Sequence, residues 1–186
     1  MIKKRQKSVS PKNHVKISRI YKNCFLGSKA GLQEETFASL GITQLLYLSE
    51  EPCPKVSENV EVLDLGKESE GFFHLLRATS FADFDRKKME TWFQKAFRFL
   101  DKGMLDGKVS VCCTLGKVRS ATVVIAYFMH RFALDFATAK SFVESKREIG
   151  LDAFAEKYLT KYGGFCTKLS ESGLIFESSE NLLQIV

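Results

Sequence analysis

Residues 121–132, ATVVIAYFMHRF, are apolar on nearly every side of a helix, and no other stretch constrains the chain as much. A helix with no polar face has to lie inside a domain, packed against a sheet. Directly before it, KVSVCC (108–113) reads as a strand, and only TLGKVRS (114–120) separates the two. A strand that passes through a glycine-containing loop into a buried helix is a building unit of α/β folds.

The rest of the chain fits that class. VKISRIYKNCFLG (15–27) predicts one opening strand or a pair of short ones, after which Ser28 is suited to cap a helix through Leu32, Phe37 and Leu40 that Gly41 ends. ITQLLYLS (42–49) has the length and apolar content of a central strand; VEVLDL (60–65) and FFHLLRATSF (72–81) are further strands. DRKKMETWFQKAFRFLDKG (85–103) is the clearest amphipathic helix, with Asp85 to cap it and Gly103 to close it. Two more helices follow, one around Phe136, Ala139, Phe142 and Val143 and one in LDAFAEKYLTKY (151–162). The expected architecture is a central mixed, mostly parallel sheet of about five strands flanked by helices. Its limits are a basic arm at 1–14, a domain at 15–170 and a tail at 171–186.

Nine Lys or Arg precede the first acidic residue, Glu34, so a net charge of +6 becomes −3 for residues 34–186. The arm reads as a short solvated segment; a contact with an acidic partner or anionic lipid would start there, and no specific nucleic-acid binding is expected. Five cysteines are too few for a disulfide framework, and the first residues offer no apolar signal segment, so a cytoplasmic or nuclear address is expected. No apolar run reaches membrane-spanning length. His14, His74 and His130 are isolated, without metal-site spacing, and neither a metal nor another cofactor is expected. Cys24, Cys53 and Cys166 read as packing or surface residues.

The chemistry concentrates between Cys113 and Ser120. A loop entering a buried helix presents backbone N–H groups where the helix dipole is positive, which makes an anion site. Thr114, Leu115, Gly116, Lys117 and Val118 supply that backbone, and Arg119 adds a guanidinium fork for two phosphate oxygens. A thiol at the mouth of such a cradle is pushed toward the thiolate, the attacking form. Five residues separate Cys113 from Arg119, the loop length that wraps a phosphate, whereas Cys112 is one residue too far and leaves a strand on the opposite face.

CCTLGKVRS (112–120) resembles the signature of the dual-specificity subgroup of cysteine-dependent protein tyrosine phosphatases: His-Cys, five residues including a glycine, Arg, then Ser or Thr. The match falls on Cys113, Gly116, Arg119 and Ser120, and AYFM (126–129) is similar to the AYLM that continues the family helix. The order of elements from about residue 15 to 150 also follows that family, of which this would be an atypical small member. Two positions depart from it: Cys112 stands where the family has His, and Val118 where relatives have a small polar residue.

The resemblance implies hydrolysis of phosphotyrosine, and of phosphoserine or phosphothreonine, on protein through a phosphocysteine intermediate, with Cys113 as nucleophile. Ser120 would stabilise the departing thiolate. The family draws its general acid from an Asp on the loop before the aromatic-rich helix. SFADFDRKK (80–88) offers two, Asp83 and Asp85; counting back from Trp92-Phe93, which resemble the paired aromatics of the family helix, favours Asp83, and Asp85 has a structural use as the helix cap. Two other readings stand beside this one. A pseudophosphatase would hold phosphorylated partners without turnover, as Cys112 in place of His suggests. A phosphoinositide or RNA 5′-phosphatase would use Lys117, which is similar to the loop lysine of phosphoinositide-cleaving cousins, although Thr114 stands where those carry a second base.

Overall fold

The computed structural model describes residues 16–68 and 86–161. The opening segment forms two strands, β1 (Ile17–Tyr21) and β2 (Cys24–Ser28). A 3-10 turn at Lys29–Gly31 follows, and α1 (Glu34–Leu40) starts only after it, with Gln33 at its N-cap. Ser28 therefore does not cap this helix. The Ser28 N–H donates to Lys16 and the Lys29 N–H to Thr114, so this backbone is committed to β1 and to the loop after Cys113. Gly41 ends α1 in the left-handed conformation, as expected.

Next come β3 (Gln44–Tyr47), β4 (Glu61–Asp64), helical residues 66–68 at the limit of the described segment, α2 (Arg86–Asp106), β5 (Val109–Cys113), α3 (Arg119–Phe132), α4 (Phe136–Lys146) and α5 (153–161). The strand order is β1-β2-β5-β3-β4, with β1 and β2 antiparallel and every other pair parallel. The expectation of a mixed, mostly parallel five-stranded sheet holds. The strand expected at 72–81 lies outside the described residues.

Gly103 does not close α2, which runs on to Asp106. A Cβ at Gly103 would collide with the Gln44 side chain and come within 2.7 Å of the Val109 Cβ. The glycine is there so that the helix can lie directly on β3 and β5.

The sheet is covered on both faces, and strand alternation decides which residue meets which layer. Val109, Val111 and Cys113 of β5, with Leu46 and Leu48, face the larger cluster of Trp92, Phe93, Phe97, Leu100 and the apolar residues of α3. Cys112 faces the smaller one, with Ile17, Phe25, Phe37, Leu45 and Tyr47. Eleven of the fourteen residues of α3 are buried, as its sequence requires. Because β2, β5 and β3 are parallel neighbours, the loops after all three open at the same sheet edge, where α/β sheets place their sites. Among the described residues no helix is long and apolar enough to cross a membrane.

Candidate active site

Cys113 is the last residue of β5 and only 4% exposed, at the floor of the loop that leads to α3. The Gly116 N–H donates to its Sγ at 3.2 Å, and the Ser120 Oγ lies 3.1 Å from the same sulfur. Both groups are placed to donate to a thiolate. Gly116 is left-handed, with φ of 67°, and a Cβ there would meet the Gly27 carbonyl oxygen at 2.5 Å and Arg147 Nη2 at 2.8 Å. Only glycine lets the loop turn back over the sulfur at this point.

The carbonyls of the loop are held from outside. Thr114 C=O accepts from the Lys29 N–H at 3.2 Å, Gly116 C=O from Arg147 Nε at 3.0 Å, and Lys117 C=O from the Gly150 N–H at 3.1 Å. Val118 C=O accepts from the Thr122 N–H and hydroxyl at 2.8 and 2.9 Å. Across a trans peptide the carbonyl and the following N–H point in opposite directions. Each outward carbonyl therefore turns the next N–H, those of Leu115, Lys117, Val118 and Arg119, toward the interior of the loop. The result is a set of prepositioned donors at the N-terminus of α3.

The side chains around this cradle carry balanced charge. Arg119, the first residue of α3, pairs with Glu50; Lys117 Nζ reaches Glu148 at 2.7 Å; and Lys29 pairs with Glu51. Leu115, by contrast, projects its apolar side chain outward and is 69% exposed. The segment after β3 supplies three consecutive contacts, since Ser49 Oγ also lies 2.9 Å from Thr114 Oγ1. The reading of the sequence missed Ser49, Glu50, Lys29, Arg147 and Glu148. For the first two a signal existed, because residues just past the carboxyl end of a central strand border the site in such sheets. Arg147 and Glu148 carried none, being brought in by the path of α4.

Cys112 lies on the other face, fully buried, with Ser110 Oγ 3.3 Å from its sulfur. Burial pushes its thiol up to about 12, only partly offset by Ser110. Cys24 is pushed to the same level by burial, so neither is a reactive thiol. Arg147 is drawn below its ordinary value by burial, opposed by the neighbouring Cys112, Cys113 and Glu148 side chains. Asp83 and Asp85 both lie outside the described residues.

Residues 24–160 match the family described as "Dual specificity phosphatase, catalytic domain". A probable dual specificity protein phosphatase of Dictyostelium discoideum is 28% identical over 133 residues, covering 72% of this chain and 30% of that protein. The chain thus spans about a third of the length of the curated relatives that it first matches. Two solved structures share the fold at low identity. A mouse putative dual specificity phosphatase complexed with zinc tungstate has a TM-score of 0.66 and 20% identity, over 89% of this chain and 94% of that one. Human DUSP28 has a TM-score of 0.63 and 24% identity, over 81% and 94%. A cradle formed between β5 and α3 and a family match running from β2 into α5 lead to one assignment: the chain belongs to the dual specificity phosphatase family.

Proposed function

We propose that the chain is a phosphatase that hydrolyses phosphomonoesters on protein, phosphotyrosine foremost and phosphoserine or phosphothreonine beside it. The observation that carries this reading is the Cys113 sulfur beneath inward-turned N–H groups, with the Ser120 hydroxyl 3.1 Å away. In the proposed mechanism the Cys113 thiolate attacks phosphorus while the bond to the ester oxygen breaks, and Asp83 protonates the leaving oxygen. The backbone N–H groups and Arg119 hold the three remaining oxygens in line between the thiolate and the leaving oxygen, on which the negative charge develops until Asp83 protonates it. Water, deprotonated by Asp83, then displaces the sulfur from phosphocysteine, and Ser120 donates to the departing thiolate.

Three ion pairs around the loop, to Glu50, Glu51 and Glu148, favour an ordinary phosphomonoester over a polyanionic phosphoinositide, because each basic side chain already faces a carboxylate. The mechanism needs a free thiol and hence a reducing compartment, cytoplasm or nucleus. The basic arm at 1–14 supplies contact with an acidic partner or anionic lipid, to be recognised by its weakening with salt.

The second reading, a module that binds phosphorylated protein without turnover, is favoured by Cys112, which brings no polar group to the loop. Hydrolysis of an aryl phosphate by the native chain and by Cys113→Ser separates the two. Loss of about a thousandfold or more in the variant is expected for a covalent nucleophile; equal rates would overturn the enzyme reading. With phosphopeptide, Asp83→Asn is expected to slow turnover more than Asp85→Asn.

A further inference from the structure

The loop carbonyls are anchored by backbone N–H groups at Thr114 and Lys117 and by Thr122 at Val118, whereas Gly116, at the apex, is held by a charged side chain. That side chain is Arg147, just past the end of α4. Its Nε donates to Gly116 C=O at 3.0 Å and its Nη1 to Ser18 Oγ on β1 at 3.1 Å, so one half-buried guanidinium ties the loop to the far edge of the sheet. By peptide planarity, the bond to Gly116 is what turns the Lys117 N–H inward. The Gly116 N–H, on the other side of the same residue, is the donor to Cys113 Sγ.

Resting on the phosphatase reading of Cys113, we infer that Arg147 is a positioning residue for this loop. It fixes Gly116 so that one N–H reaches the nucleophile and the next reaches bound phosphate, and it adds a half-buried positive charge in the neighbourhood of both cysteines. Cys112, buried on the opposite face with Ser110, does neither. Around the cradle Arg119 also pairs with Glu50, Lys117 with Glu148 and Lys29 with Glu51, side chain to carboxylate, whereas the Arg147 side chain holds the Gly116 carbonyl of the loop. Glu148 also faces Arg147. The guanidinium is additionally fastened at two points, which a lysine reproduces in charge and a glutamine only in hydrogen bonding.

The test compares the native chain with Arg147→Met, Arg147→Gln and Arg147→Lys, with thermal melting recorded for each. Alkylation of Cys113 by iodoacetamide is followed by peptide mass spectrometry from pH 5 to 9, alone and with inorganic phosphate as protectant. Arg147→Met is expected to alkylate about tenfold more slowly at pH 6 and to need about tenfold more phosphate for protection. Arg147→Lys should recover the alkylation rate, and Arg147→Gln should recover phosphate protection but not the rate. A folded Arg147→Met that matches the native chain in both readouts overturns the proposal, as does a loss confined to the melting temperature. Should the methionine variant not fold, the lysine and glutamine variants decide, and identical alkylation profiles overturn it. Neither readout needs turnover, so a native chain that hydrolyses no aryl phosphate sinks the phosphatase reading while leaving the inference on Arg147 separately testable.

Discussion

Two adjacent cysteines have opposite surroundings because a strand alternates. Cys113 faces the larger core and the loop, whereas Cys112 packs among Ile17, Phe25 and Tyr47. A Cβ on the neighbouring Gly27 would come within 3.0 Å of the Cys112 sulfur, so the thiol packs closely over this glycine. Cys112→Ala should therefore cost about 1 kcal/mol of stability from the small cavity. It should leave aryl-phosphate hydrolysis and Cys113 alkylation within about twofold of the native chain, because the side chain packs in the smaller cluster on the other face of the sheet from Cys113. Denaturant melts read the first effect and initial rates the second; a collapse in rate without loss of stability would mean that the Cys112 thiol acts through the strand on its neighbour.

At the scale of elements, the contact of α2 with the sheet separates pattern from packing. The spacing of Met89, Trp92, Phe93, Ala96, Phe97 and Leu100 marks the helix and its buried face, and all six are buried. The end of the helix was misread because glycine has two uses, helix termination and close approach, and sequence cannot tell them apart. Gly103 serves the second. Gly103→Ala should destabilise the fold by about 1–3 kcal/mol through overpacking against Gln44 and Val109, although alanine is the better helix former. A urea midpoint equal to or above that of the native chain would show that α2 can shift away from β3 and β5. The helix expected from Ser28 was misplaced for a related reason. A serine before an apolar run predicts a cap, yet here that backbone is taken up by Lys16 and the loop at Thr114, contacts distant in sequence.

For the whole molecule, the titration of one half-buried histidine links pH to stability. His130, near the end of α3, stacks on Phe97 with ring centroids 5.1 Å apart, and its Nδ1 has no partner among the described residues. Burial lowers its affinity for a proton below the ordinary value of 6.5, Asp101 opposes the shift and Arg131 adds to it. The unfolded chain therefore takes up the proton first as pH falls, so the stabilisation is present above about pH 6.5 and is lost on acidification toward the folded value. Glu61, lowered chiefly by Lys102, and Asp135, lowered by the Thr138 N–H, act only in stronger acid. The urea midpoint should drop between pH 7 and 5, and His130→Gln should flatten that slope; an unchanged slope would assign it elsewhere. At this scale the sequence by itself determined the α/β class, the mostly parallel sheet and the strand-loop-helix unit from Cys113 to Ser120, because each is written in short-range periodicity and spacing. Only the tertiary structure decided what surrounds that unit. Glu50 comes from the end of β3, Lys29 from the turn after β2 and Arg147 from the end of α4, and they meet because three parallel strands open at one edge of the sheet. No local pattern encodes those meetings; chain path and close packing do.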